Sequence, residues 1–287
     1  VFLSSAAKEY IRVYGVLIGR KPIIFTNNDS AYETAIEFKK HGINPVIIDT
    51  REDQKSDLIE EAKIQDIVIK FSHAVIAAHG YKKIKSTSIG KLNQDKTDFE
   101  NIERLNCDCI CVSGFWTPTV HLASQSGNKL KFDEKIDAFI PDKAKQNEKS
   151  LGASNGIFNL KETLKTSFEI GTEASKSITK NGKSILVPNV NEKKHSDHDK
   201  FWCSPLPKGK NYKRFVDFQN DVAVSDIEIA LREGYRSIEH VKRYTTLGMA
   251  TDQGRTSNLN GLQLVANIEK KLYHKWVILL LDLHLLQ

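Results

Sequence analysis

Between residues 22 and 49 the chain reads PIIF, then TNNDSAYETAIEFKKHG and, past Ile43 and Asn44, PVIID. The apolar runs are too short for helices. The segment between them places Ala31, Ala35, Ile36 and Phe38 on one face at helical spacing, with Asp29 or Ser30 as the cap and Gly42 as the stop. A strand, a helix and a second strand in so short a span make a βαβ unit, so the two strands are parallel and share one sheet. More strands are predicted at DIVIKF, AVIAAH and DCICVSG, with KKIKSTSI pairing with AVIAAH. The first half is therefore α/β: residues 1–145 are expected to form a Rossmann-like nucleotide domain. At 287 residues the chain has room for a second unit with its own core.

After FIPD the pattern changes. Gly152 to Gly156 is a small-residue turn, and a helix is predicted from about Leu160 to Ile178. NVNEKKHSDHDKFW is polar and charged, and residues 189–214 are expected to be a linker. His195, Asp197, His198, Asp199 and Cys203 offer metal-ligating atoms there, but a mobile charged loop lacks the rigid surroundings that ligands need. DVAVSDIEIALREG and SIEHVKRYTTLG read as two helices ending at Gly234 and Gly248. The loop ATDQGRTSN and a further short helix, LNGLQLVANIE, follow them.

A Rossmann unit carries glycines at its first βα turn, so that the backbone can approach a pyrophosphate. Here that turn is Thr26-Asn27-Asn28-Asp29-Ser30, with no glycine and with a carboxylate beside the phosphate position. Asp49 nevertheless closes the second strand where an acidic residue would hold an adenosine ribose, and Arg51 follows it. Two readings stay open: a nucleotide site using Thr26, Asn27, Asn28 and Asp49, or a degenerate domain that keeps the fold without the ligand. Ser113-Gly114 after DCICV, and the turn at Gly152, have the cadence of the crossovers in two-dinucleotide flavoprotein folds.

Composition narrows the function classes. The net charge of +6 is spread over lysines without an Arg-rich or aromatic–basic cluster, which argues against a nucleic-acid partner. Cys107, Cys109 and Cys111 alternate along one strand and are expected to share a face as buried thiols; with Cys203 they form no disulfide framework. That usage, and the lack of an apolar run behind a basic N-terminus, fits a cytoplasmic protein.

Several segments together resemble the alpha subunit of heterotetrameric sarcosine oxidase: TNNDSAYETA, CVSGFWTPTVHLASQSG, LGASNGIFNL and above all DFQNDVAVSDIEIALREGYRSIEHVKRYTTLGMATDQGRTSN. The resemblance runs to about Ile268. It implies a flavoenzyme that oxidises sarcosine to glycine, passing electrons from FAD to FMN and then to oxygen to give peroxide, with the one-carbon unit transferred to tetrahydrofolate. Related opine, proline and cyanide-forming dehydrogenases share pieces of the architecture, so the alternative is an assembly module of such a complex. The family's alpha subunit binds NAD through a glycine-rich turn that lies N-terminal to the region covered here. FAD and substrate oxidation belong to the beta subunit, so no catalytic acid or base is assigned to this chain. Beta, gamma and delta subunits are the implied partners, and tetrahydrofolate binds a domain C-terminal to this region.

The span 215–268 also resembles the bacterioferritin-associated-ferredoxin type of [2Fe–2S] module, yet it contains no cysteine. Alignment on the helices puts Asp217 and Gln219 at the first ligand pair and Asp252 and Ser257 at the second. Iron in such clusters needs thiolates, so a cluster-less frame without metal ligands is expected. The resemblance implies FMN near the alpha–beta interface. Lys242, Arg243, Tyr244, Thr245 and Thr246, with the loop Thr251, Asp252, Gln253 and Gly254, are the candidates to meet it, through basic groups, hydroxyls and loop N–H groups. Alternatively, Lys242 and Arg243 are ordinary charges favouring a helix C-terminus.

Residues 146–188 are then expected to be the return turn and helix of the neighbouring dinucleotide domain. The abrupt start at VFLSSAAKEYIRVYGV points to a piece of a longer protein. The end, KKLYHKWVILLLDLHLLQ, has an apolar run shorter than the ~20 residues of a membrane helix. A shift of two bases in an A-rich stretch, with suitable synonymous codons, turns it into a stretch resembling the family's continuation, so residues 269–287 are expected to be out of frame.

Overall fold

A computed structural model describes residues 1–114, 116–179, 186–196 and 198–269. Asp197 and the tail 270–287, on which two expectations fell, lie outside the described residues. The chain divides into two compact units, residues 1–115 with 193–214 and residues 116–192 with 215–287. The first boundary therefore falls earlier than residue 145. Residues 193–214, expected as a linker, group with the first unit instead.

The first unit runs β1 (Phe2–Leu3), α1 (Ser4–Tyr14), β2 (Pro22–Thr26), α2 (Ser30–Lys40), β3 (Val46–Asp49), α3 (Asp57–Ile64), β4 (Val68–Lys70), β5 (His73–Gly80), β6 (Ile84–Leu92), β7 (Phe99–Asn106) and β8 (Cys109–Ser113). Five strands form a parallel sheet in the order β1-β8-β2-β3-β4. The expected βαβ unit is its centre. β5, β6 and β7 make a separate antiparallel sheet, with the expected pairing of AVIAAH and KKIKSTSI inside it.

Successive residues of a strand face opposite sides. Ile24 and Ile47 join Ala31, Tyr32, Ala35, Phe38, Leu58 and Ile59 in the core beneath the helices. Ile23 and Ile48 join Ile110 and Ile89, with Val75, Ile84 and Leu105 of the meander packed against them. Full burial of an Ile or Phe is worth about 1.5–3 kcal/mol, so this two-sided cover holds β2 and β3 at the middle of the sheet. The cysteines do not all share a face. Cys109 and Cys111 pack on the helix side, their sulfurs 3.8 Å apart, while Cys107 packs on the meander side. Cys107 lies ahead of β8, so the strand alternation does not extend to it; Asp108 between them accepts the Arg20 and Lys21 N–H groups at 2.8 Å each. All three are buried free thiols, and burial pushes the Cys107 pKa up to about 11.

The second unit contains α4 (His121–Gln125), the hairpin β9 (Leu130–Asp133)–β10 (Ala138–Pro141), a 3-10 turn at Gly152–Asn155 and α5 (Leu160–Ile178). α5 has the predicted bounds. Asn159 caps it, accepting the Glu162 N–H at 2.8 Å. A small hairpin, β11 (Phe215–Asp217) and β12 (Val222–Ala223), leads into α6 (Val224–Arg232), α7 (Ile238–Thr245) and α8 (Asn258–Ile268). Their buried residues include Ile227, Ala230, Val241, Leu262 and Val265, and Leu247 of the loop after α7 is buried too. α7 ends before the predicted Gly248, because Thr246 already takes a left-handed conformation with φ 62°.

Candidate functional site

The parallel register aligns Thr26 with both Asp49 and Ser113, so the carboxyl ends of β2, β3 and β8 lie side by side. From β2 the chain passes to β3 on one side, while β8 flanks β2 on the other. Doubly wound folds take nucleotides at such a point. The predicted residues Thr26, Asn27, Asn28, Asp49, Ser113 and Gly114 therefore do come together.

Their polar atoms face one another. Asn28 Nδ2 donates to the Gly114 carbonyl at 2.6 Å, and Asn28 Oδ1 accepts the Ser30 N–H at 3.0 Å. Asn28 thus serves the start of α2, where Asp29 or Ser30 was expected as the cap; Asp29 makes no such bond. Asp49 is fully buried and accepts from Tyr32 Oη at 2.7 Å and from the Arg51 guanidinium at 2.8 Å. Arg51 Nη1 also lies 2.9 Å from Asp29, with both side chains 3% exposed. Burial works against the Arg51 charge, but the carboxylates of Asp49 and Asp29 overcome it and hold its pKa above the ordinary value. Burial first, then Asp49, raises the Tyr32 pKa, keeping its hydroxyl a donor.

Sequence reading missed the residues that cover this turn. Ser196 donates its N–H and Oγ–H to Asp29, each at 2.7 Å, and accepts from Arg51 at 2.8 Å. The Asp199 N–H donates to the Asn27 carbonyl at 2.9 Å, and the Asn27 amide returns a bond of 2.8 Å. The Asp199 carboxylate accepts from Thr50 Oγ1 at 2.7 Å and from Lys96 Nζ at 2.6 Å. Polar residues without periodicity carry no signal of such packing. Among the described residues no group of three or more His, Cys, Asp or Glu could hold a metal. Asp199 is committed to Thr50 and Lys96, and Cys203 Sγ lies 3.3 Å from Arg214 Nη1.

In the second unit Asp217, Gln219, Asp252 and Ser257 are drawn together by hydrogen bonds. Asp217, 2% exposed, accepts from the N–H groups of Gln219 and Gly248 at 2.9 Å each and from Ser257 Oγ at 3.3 Å. Thr251 Oγ1 donates to Gln219 at 2.7 Å. Asp252 accepts the N–H of Gly254 at 3.1 Å and of Thr256 at 3.2 Å, and the Thr256 hydroxyl at 2.7 Å. Burial opposes its charge, but these bonds and one from Gln219 outweigh that and keep its pKa below the usual carboxylate value. Gly248, at φ 68°, must be glycine: a Cβ there would collide with the Asn258 amide.

The loop fits a phosphate poorly. The Gly254 and Thr256 N–H groups already serve Asp252, whose charge would repel an anion. Thr245 and Thr246 hydroxyls donate to the carbonyls of Val241 and Thr245. The end of α7 is more open. Arg243 and Tyr244 are exposed, and Lys242 has only a 3.9 Å contact with Glu239. Tyr244 stacks on Tyr235 with ring centroids 4.8 Å apart. Asp226, Ile229, Tyr244 and Thr245 line a cavity of ≈270 Å³. That is below the roughly 300–1,000 Å³ of a pocket enclosing a ligand, so a flavin would need a second surface. Gly152 sits in the 3-10 turn of this unit, at φ 60°.

Residues 211–278 match the family described as "Sarcosine oxidase A3 domain", a span that passes residue 268. The chain is 31% identical over 273 residues to a sarcosine oxidase subunit alpha of Corynebacterium sp. (strain P-1), covering 93% of this chain and 28% of that protein. It is 31% identical over 272 residues to the corresponding subunit of Rhizobium meliloti (strain 1021), covering 93% of this chain and 26% of that one. Among solved structures, T. acidophilum thioredoxin reductase aligns with 54% of this chain and 51% of its own at 13% identity and a TM-score of 0.37. Along 93% of its length, then, this chain is similar to sarcosine oxidase alpha subunits, and it spans little more than a quarter of their length.

Proposed function

We propose that the chain is part of the alpha-type subunit of a sarcosine oxidase-like flavoenzyme complex. The complex oxidatively demethylates sarcosine to glycine, forms peroxide and passes the one-carbon unit to tetrahydrofolate. The observation that carries this reading is the 31% identity maintained along 93% of the chain. Beta, gamma and delta subunits are its proposed partners. NAD is assigned to a turn outside this chain, and FAD to the beta subunit.

Residues 215–268 are a ferredoxin-type frame in which hydrogen bonds among Asp217, Gln219, Thr251, Asp252 and Ser257 stand in for metal–thiolate bonds. The oxygen and amide groups at these positions are poor iron ligands beside cysteine. A bound FMN would supply electron transfer to oxygen. This chain's part is to hold it at one side, with Lys242 and Arg243 as cations and Tyr244 as an aromatic surface. The open cavity beside Tyr244 and Thr245 supports a shared site better than an enclosed one. Thr251 to Gly254 contribute by bracing the frame through Gln219 and Asp252.

The test is co-expression of the full alpha subunit with the beta, gamma and delta subunits, followed by flavin absorbance and a peroxide assay with sarcosine. Co-purification with flavin and sarcosine-dependent peroxide is the expected result. A complex that assembles but is inert toward sarcosine would leave only the assembly role and overturn the substrate assignment.

A further inference from the structure

The carboxyl ends of β2, β3 and β8 lie where a doubly wound fold takes its ligand, yet Asn27, Asp29, Thr50 and Arg51 at this edge are engaged by Ser196 and Asp199, in the strap formed by residues 193–196 and 198–200. We infer that this strap is the permanent occupant of the nucleotide cleft, with the Asp199 carboxylate standing where a ligand's anionic group would be held.

Anchors run along the whole strap. Lys193 pairs with Glu61 at 2.5 Å. Lys194 exchanges two bonds with Asp57 at the start of α3, at 2.9 and 3.2 Å. Ser196 then covers Asp29, and Asp199 covers Asn27, Thr50 and Lys96. Beyond it, the Phe201 ring meets Phe25 edge-on at 6.4 Å. A hydroxyl from Thr50 and the ammonium group of Lys96 converge on the Asp199 carboxylate, as they would on a phosphate or carboxylate ligand, while the Asn27 amide holds the Asp199 backbone carbonyl. Here the anion is covalently part of the chain, so its effective concentration is that of an intramolecular partner.

The floor beneath the strap adds a second barrier. Asp29 and Asp49 are both buried against the Arg51 guanidinium, and His195 Nδ1 lies 3.9 Å from Asp29. A pyrophosphate replacing the strap would meet both carboxylates at short range in a medium that screens them weakly. It would also leave Asp29 without the two Ser196 donors. Steric occupation and charge thus act in the same direction, and the first unit serves the protein as a closed structural block. This inference does not depend on what the complex oxidises.

The test is hydrogen exchange on the full chain, following the amides of residues 26–31 and 49–52, with and without millimolar NAD+, NADP+ or ADP. The expected result is no added protection from any of the three. Asp199→Ala should raise exchange at these amides and at the strap by roughly tenfold or more, as its charge-assisted bonds are lost. Lys96→Ala, at a partly exposed position, should raise strap exchange by a smaller factor without endangering the fold. Protection of residues 26–31 by a nucleotide in the unaltered chain would overturn the inference. So would strap exchange that neither variant changes.

Discussion

Replacing Asp217 by Ala should loosen the whole α6–α8 region. The carboxylate is 2% exposed and holds the hairpin to the loop after α7 through the Gly248 N–H, and to α8 through Ser257. Its other oxygen accepts the Gln219 N–H at 2.9 Å and, more loosely, the Asn220 N–H at 3.4 Å. A bond to a charged group contributes about 1.5–3 kcal/mol, and a buried donor left without a partner costs about 1–3 kcal/mol. Gly248 and Ser257 are both buried, so two donors would be stranded while the two bonds near the surface are replaced by water. The sum, allowing for relaxation, is a loss of about 3–5 kcal/mol. Hydrogen exchange of the α6 to α8 amides reads this unit separately from the other and should show protection falling by about two to four powers of ten. Asp217→Asn keeps the shape but turns one acceptor into a donor facing another donor, and should cost about 2–3 kcal/mol. A loss below about 1 kcal/mol for Asp217→Ala would refute the view that this carboxylate is the hub of the module.

Arg51→Ala should destabilise the first unit by about 3–5 kcal/mol in urea unfolding, because it removes the buried cation between Asp29 and Asp49. Lys242→Ala with Arg243→Ala should lower flavin retention in the assembled complex while circular dichroism of the chain stays unchanged; unaltered flavin content would return both to ordinary helix-end charges. Asp252 has a folded pKa below its unfolded value, so its contribution is complete above about pH 4 and is lost as pH falls through the folded pKa. Exchange of the 252–257 loop amides should therefore rise only under acid, and Asp252→Asn should flatten that rise. Purified protein should contain no stoichiometric iron or acid-labile sulfide; a brown protein with cluster absorbance would falsify the cluster-less frame.

Much of this molecule was readable from residue order alone, because the forces involved act over short spans. The βαβ unit declared itself through apolar runs and a helical stripe that differ in period. α5 declared itself as a helical stretch following the small-residue turn Gly152 to Gly156. Other features rest on contacts between distant residues. Asp108, beside Cys107, binds the Arg20 and Lys21 N–H groups across 88 and 87 positions. The strap's bonds to Asn27 and Asp29 span 172 and 167 positions. A hydrogen bond needs only that donor and acceptor meet, and polar residues that meet this way follow no period in the chain. Whether NVNEKKHSDHDKFW was a loop or a plug could be decided only once the sheet had gathered Thr26, Asp49 and Ser113 at one edge. Likewise, the partners of Asp217 and Asp252 could be read only from the folded chain. Their burial and their donors exist in the folded chain alone, since the helices that bring them together must pack first.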